Sequence, residues 1–122
     1  MNRQLRQHLP FRWLSWLTFS YFRLRGADVA RSAVLYPSVQ LNRYPKNIQI
    51  GPEVIVKSWA RLTTCNASAK IRVGERSTIG EQNLFYASCS IEIGNDVMFG
   101  PRVYIVDSSH SIDSVDVPMN RQ

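Results

Sequence analysis

An all-β parallel solenoid closed by a short N-terminal helix is the architecture this sequence predicts. Three observations carry the prediction. Large apolar residues recur at every sixth position through most of the chain. The phrase Ile91-Glu92-Ile93-Gly94 has two earlier counterparts, Ile48-Gln49-Ile50-Gly51 and Ile71-Arg72-Val73-Gly74. The segment before residue 27 is dense in aromatic residues and carries five arginines with no acidic residue, whereas the remainder is nearly neutral. These divide the chain into a cap, 1–26, and a repeat region, 27–122.

The cap comes first. Arg3, Arg6, Arg12, Arg23 and Arg25 place five positive charges in the first 25 residues, with no acidic residue among them. Only ten uncharged residues separate Arg12 from Arg23, far short of the roughly 20 that span a bilayer. Arg23 and Arg25 follow the apolar centre directly, and no small-x-small cleavage site comes next, which argues against a secretory leader. The segment reads as a short helix that starts near Pro10 and stops at Gly26, since proline suits a first turn and glycine a C-terminal cap. Phe11, Trp13, Leu14, Trp16, Leu17, Phe19, Tyr21 and Phe22 make it apolar around most of its circumference. Such a helix can plug the open end of a solenoid, which otherwise exposes an apolar cross-section. Aromatics beside arginines also suit peripheral contact with a membrane surface through residues 10–25. His8, among polar neighbours, reads as solvated.

From Val29 the period takes over. The apolar positions fall in triples: Val29, Leu35, Leu41; Ile50, Val56, Leu62; Val73, Ile79, Phe85; Ile93, Phe99, Ile105. Within a triple the spacing is six; between triples it is nine, eleven and eight, so extra residues enter at one recurring corner. Four residues after the key positions come small or β-branched side chains such as Ala33, Val54, Ala60 and Ser77. A helical period of 3.6 would scatter sixes around its surface, and long strand alternation is absent. Short strands joined by turns fit, with Gly51, Gly74, Gly80, Gly94 and Gly100 expected to relieve the corners. Three sides close a triangle, so each triple is one coil of a parallel β-helix, about four coils in all. Asn66 and Asn83 occupy corner or small inward slots and read first as structural, satisfying turn donors.

Composition narrows the function. The formal charge is +6, but the chain after residue 25 holds ten basic and nine acidic side chains and is nearly neutral. Nucleic acid is therefore disfavoured, because an electrostatic footprint needs cations clustered over a binding face. Cys65 and Cys89 lack metal-ligand or redox spacing, which indicates a reducing compartment, packing roles and no metal. No G-x-G-x-x-G, P-loop or G-x-S-x-G is present, which removes nucleotide-binding and serine-hydrolase readings.

The runs VGERSTIGEQN and IEIGNDVMFGPRVYIVDSSHSID resemble the hexapeptide-repeat acyltransferases, and among them the bacterial sugar and polysaccharide O-acetyltransferases. The resemblance covers residues 26–118 and is most specific over 91–110. It implies a left-handed helix, acetyl-CoA as donor, a carbohydrate hydroxyl as acceptor, and a homotrimer with sites between subunits. It implies cytoplasmic work, at the inner face of the membrane if the cap binds lipid. It also implies further coils after the loop that supply much of the acetyl-CoA groove, so the solenoid is expected to be incomplete at its C-terminal end. The alternative is a non-catalytic assembly module unable to hold CoA. The residues at 85–90 depart from the acidic and Asn residues of the sugar types, which argues against a maltose-like acceptor.

The histidine that closes the run, His110, is implied to be the catalytic base. The chemistry suits it. An imidazole can take the proton of an attacking hydroxyl and return it to the leaving sulfur of a thioester. A carboxylate on its other nitrogen would fix the tautomer, and Asp107 and Asp113, three residues either side, are the candidates. Asn83 and Tyr86 are the candidates for the acceptor site, with no residues assigned to the CoA groove.

Overall fold

The computed structural model describes residues 12–122. The expected helix start near Pro10, together with Phe11 and His8, lies outside the described residues. Helix α1 spans Arg12–Leu24. It ends as the glycine predicts: Gly26 takes φ 92°, its amide donates to the Arg23 carbonyl, and the Ala27 amide donates to the Phe22 carbonyl. Those two bonds are a Schellman closure, in which the left-handed residue costs nothing because it has no Cβ.

Three strands follow per coil. The first coil has β1 (Asp28–Val29), β2 (Val34–Leu35) and β3 (Gln40–Arg43); the second has β4 (Ile48–Ile50), β5 (Ile55–Val56) and β6 (Arg61–Thr64). The third has β7 (Lys70–Val73), β8 (Thr78–Ile79) and β9 (Leu84–Ala87). The fourth has β10 (Ser90–Ile93) and β11 (Tyr104–Val106), with a single bridge from Met98 to Thr78 between them. Three parallel sheets result: β1-β4-β7-β10, β2-β5-β8 and β3-β6-β9-β11. The register stacks the sixth-position residues on one another. Val29, Ile50, Val73 and Ile93 form one ladder, and Leu41, Leu62, Phe85 and Ile105 another. Leu35, Val56 and Ile79 form the third.

Burial follows the stacking. The ladder residues of the first three coils are buried, whereas Phe99 and Ile105 of the fourth are only partly so. A coil cannot cover its own interior, and each gains its burial from the layers on either side. The recurring corner also appears where expected, at 44–47, where Pro45–Asn47 makes a 3-10 turn, at 65–69 and at 88–89. Side chains tie this corner from coil to coil. Asn47 Nδ2 donates to the Ala67 carbonyl at 2.8 Å, and Asn66 Nδ2 donates to the Ser88 carbonyl at 2.7 Å. Asn66 Oδ1 also accepts the Ala69 amide at 2.9 Å.

The glycines act differently from expectation. None of Gly51, Gly74, Gly80, Gly94 and Gly100 has a positive φ; Arg43 is left-handed at the end of β3, and the left-handed residues of the other corners are Glu53, Trp59, Arg76, Gln82, Asp96 and Arg102. That conformation costs a side-chain-bearing residue about 1–2 kcal/mol. It turns each amide along the solenoid axis, where it finds an acceptor in the preceding coil. Arg76, Gln82, Asp96 and Arg102 donate to the carbonyls of Pro52, Ser58, Glu75 and Glu81. Glu53 and Trp59 donate to the hydroxyls of Ser32 and Ser38. Gly51, Gly74 and Gly80 instead allow backbones to touch: a Cβ on Gly80 would meet the Gly100 carbonyl oxygen at 2.5 Å. Gly80→Ala must push two coils apart and is expected to destabilise by roughly 1–3 kcal/mol. Thermal melting beside Gly100→Ala, whose Cβ would meet nothing, checks this.

Helix α1 lies against β1 and β2. Phe22 is buried in the core, Phe19 packs on it, and the Ser15 hydroxyl accepts the Leu35 amide at 2.9 Å. The helix thus caps the first coil, covering apolar side chains and satisfying one donor of an otherwise open strand edge. Among the described residues no helix is long and apolar enough to cross a membrane.

Candidate active site

His110 lies four residues past β11, in an irregular, exposed segment that closes with a 3-10 turn at Met119–Arg121. The segment is folded back on itself by Gln122, whose Nε2 donates to the carbonyls of Ser114 and Val117 at 2.8 and 2.7 Å. His110 has no hydrogen-bond partner among the described residues. Its neighbour Ser108 does: the Ser88 hydroxyl bonds the Ser108 hydroxyl at 3.0 Å, fastening the start of the segment to the corner beneath.

Neither candidate aspartate is bonded to His110. The Asp107 carboxylate accepts three backbone amides, from Ser88 at 2.6 Å, Cys89 at 2.8 Å and Ser90 at 2.7 Å. It closes the corner between β9 and β10 as an anion would sit in a ring of turn amides. The Ser88 amide foremost, then those of Cys89 and Ser90, holds its carboxyl below the ordinary range, with desolvation opposing. Asp113 accepts the Ser111 hydroxyl at 2.7 Å. The structure thus brings neither carboxylate into a hydrogen bond with the imidazole.

The depressed pKa of Asp107 sets a sign for acid stability. A group whose folded pKa lies below its unfolded value, near 3.9, contributes stability above that value. The contribution is lost as pH falls through the folded pKa. Because Asp107 is exposed the effect is local and modest. Amide exchange should show Ser88, Cys89 and Ser90 losing protection on acidification. In Asp107→Asn the protection should be low from the outset and indifferent to acid; equal acid responses in both proteins would count against this role.

Tyr86 is half-buried on the outer face of β9, and its ring meets that of Tyr104 on β11 edge to face at 5.9 Å. With the exposed Val106, paired opposite Tyr86, they form an aromatic strip running up to the histidine segment. Asn83 lies inside the coil. It is fully buried, and its Oδ1 accepts the Val103 amide at 2.7 Å, so it holds the third coil to the fourth and presents no surface to an acceptor. That is the structural role its slot suggested. Cys65 is half-buried and Cys89 exposed, so the packing role expected of Cys89 is not seen; its amide is what the corner uses. Among the described residues no three His, Cys, Asp or Glu side chains are grouped to hold a metal.

Two features escaped the reading of the sequence, the Asp107 corner and the Ser88–Ser108 tie. The register could have found both, because Ile105 stacks on Phe85 and so puts Asp107 over Ala87 and Ser108 over Ser88.

Comparison with known proteins gives one further observation. The chain is similar to a probable acetyltransferase, Rv3034c, of Mycobacterium tuberculosis, with 23% identity over 114 residues, 88% of this chain and 38% of that protein. That likeness and the parallel solenoid fit a hexapeptide-repeat acyltransferase. The chain spans less than two fifths of the relative's length. No protein-family profile matches it, and no solved structure does.

Proposed function

We propose that this chain carries the acceptor-activating part of an O-acyltransferase that moves an acetyl group from acetyl-CoA to a hydroxyl of a sugar or cell-envelope polysaccharide. The observation that carries the reading is His110: an exposed imidazole ending the most specific repeat run, on a segment fastened to the solenoid by Asp107 and Ser108. The similarity to a probable acetyltransferase supports it. Acetyl-CoA supplies an activated thioester, so no covalent intermediate on the protein is needed. His110 takes the acceptor hydroxyl proton as the oxygen attacks the carbonyl carbon, then delivers it to the departing sulfur.

The surroundings favour the thioester end of the donor over its phosphates. Between Arg102 and Arg121 the sequence has no Lys or Arg and holds Asp107, Asp113 and Asp116. Like charge keeps a diphosphate away from such a segment. Tyr86 and Tyr104 offer the ring faces on which a sugar can stack. Assembly as a homotrimer, with sites between subunits, belongs to the same proposal and would give the exposed strip of Tyr104 and Val106 a partner.

One observation favours the second reading, a non-catalytic solenoid module: Asp107 is committed to a turn, and the imidazole has no hydrogen-bond partner among the described residues. The two separate cleanly. Acceptor-dependent release of CoA thiol, across a panel of mono- and oligosaccharides, is the expected result, with acetyl-CoA binding by calorimetry and a trimer by size. No binding and no acceptor-dependent release would leave the module reading standing.

A further inference from the structure

Helix α1 has two apolar faces, and the solenoid uses one. Ser15, Phe19 and Phe22 face the first coil. Trp13, Trp16, Leu17, Tyr21 and Leu24 recur at spacings of three, one, four and three, which place them along a single opposite stripe. They are between 53% and 89% exposed. Five large apolar side chains left in water on one helix mark a surface built to meet something.

The charges around the stripe say what it meets. The helix has no acidic residue, and the first 25 residues have none at all against five arginines. Arg23 lies over the Phe19 ring at 5.5 Å, and Arg25 lies over the Tyr21 ring at 5.7 Å, donating to its hydroxyl at 3.3 Å. Both cations are exposed at the borders of the apolar surface, and Arg23 Nη1 also donates to the Val29 carbonyl at 3.5 Å. A groove of about 440 Å³ opens beside Trp16, with Phe19, Ala33 and Val34 in its wall and Arg31 at hand. Two tryptophans and a tyrosine, aliphatic side chains between them and arginines at the edge match the boundary of a bilayer, where apolar tails adjoin phosphate heads.

We propose that the outer face of α1 docks this protein flat on an anionic lipid surface, with the solenoid held upright on the other side of the helix. The stripe enters the acyl boundary while the arginines pair with headgroup phosphates; the 13 described residues of the helix are too few to span. This interaction is independent of the transfer reaction.

Vesicles test it. The full chain carrying Trp59→Phe leaves Trp13 and Trp16 as its tryptophans. Their emission should shift to the blue with phosphatidylglycerol-containing vesicles and be quenched by brominated acyl chains. Phosphatidylcholine alone should give little response, and added salt should weaken the effect, since surface attraction of basic side chains is screened. Trp13→Gln with Leu17→Gln alters only exposed positions, so melting should be unchanged while partitioning falls by roughly tenfold or more. Absence of quenching by brominated lipid overturns the proposal, whatever the double variant does. Equal binding by a well-folded double variant also overturns it. Conversion of a larger assembly into a smaller one by that variant, without vesicle binding by either protein, would assign the stripe to a second copy of the chain instead.

Discussion

Acetyl transfer should fall by about 10²–10⁴-fold when His110 is replaced by alanine, the range expected for loss of a positioned general base. The solenoid should survive unchanged. His110 is exposed, lies outside every strand and has no hydrogen-bond partner among the described residues, so its side chain contributes nothing to the stack. Melting temperature and assembly size serve as controls, and the rate of acceptor-dependent CoA release is the readout. The two aspartates give the result its resolution. Asp113 contacts Ser111, so Asp113→Asn should change the rate little. Asp107→Asn should act indirectly, by loosening the corner that fastens the histidine segment. A His110→Ala protein with full activity would remove the proposed mechanism.

Ile79→Asp should abolish folding outright. Ile79 is fully buried on β8, stacked on Val56 in the ladder that begins with Leu35. Losing its apolar burial removes roughly 1.5–3 kcal/mol. Leaving a carboxylate unpaired in that interior costs several kcal/mol more, unless it takes up a proton. Against a total stability on the order of 5–15 kcal/mol that is decisive. The damage also propagates, because a coil displaced in the middle uncovers the coils on both sides. The far-ultraviolet β signal and the cooperative melt should both disappear. Ile79→Val should cost only about 0.5–1.5 kcal/mol. Arg76, whose guanidinium pairs in solvent with Asp96 and Glu75, should tolerate alanine with little loss. A folded Ile79→Asp protein would mean that the stack does not depend on its ladders.

The fold was legible in the sequence because a solenoid repeats one local rule. Each sixth residue faces the axis, and the same instruction recurs with the same neighbours above and below. Twelve positions from Val29 to Ile105 followed from spacing alone; the stacked register holds eleven of them, and Phe99 adjoins the single Thr78–Met98 bridge. The corner insertions were legible for the same reason, as departures from six. The site was less so. Asp107 looks like a partner for His110 when only chain distance is counted. The coil returns to within hydrogen-bond reach of it with the amides of Ser88, Cys89 and Ser90, and three strong donors prevail over a neighbour three residues on.

By itself, then, the sequence determined the period, the coil count, the helical cap with its Gly26 stop, and which histidine stands at the end of the repeat. These are one-dimensional properties, set by side-chain size and spacing. Only the tertiary structure decided what the polar and special residues do. It placed Asn83 inside the coil, turned Asp107 to the corner, and gave the left-handed corners to Arg76 and Asp96 rather than to glycine. Those outcomes depend on what lies one coil away, some 20 residues distant along the chain and one strand spacing distant in space.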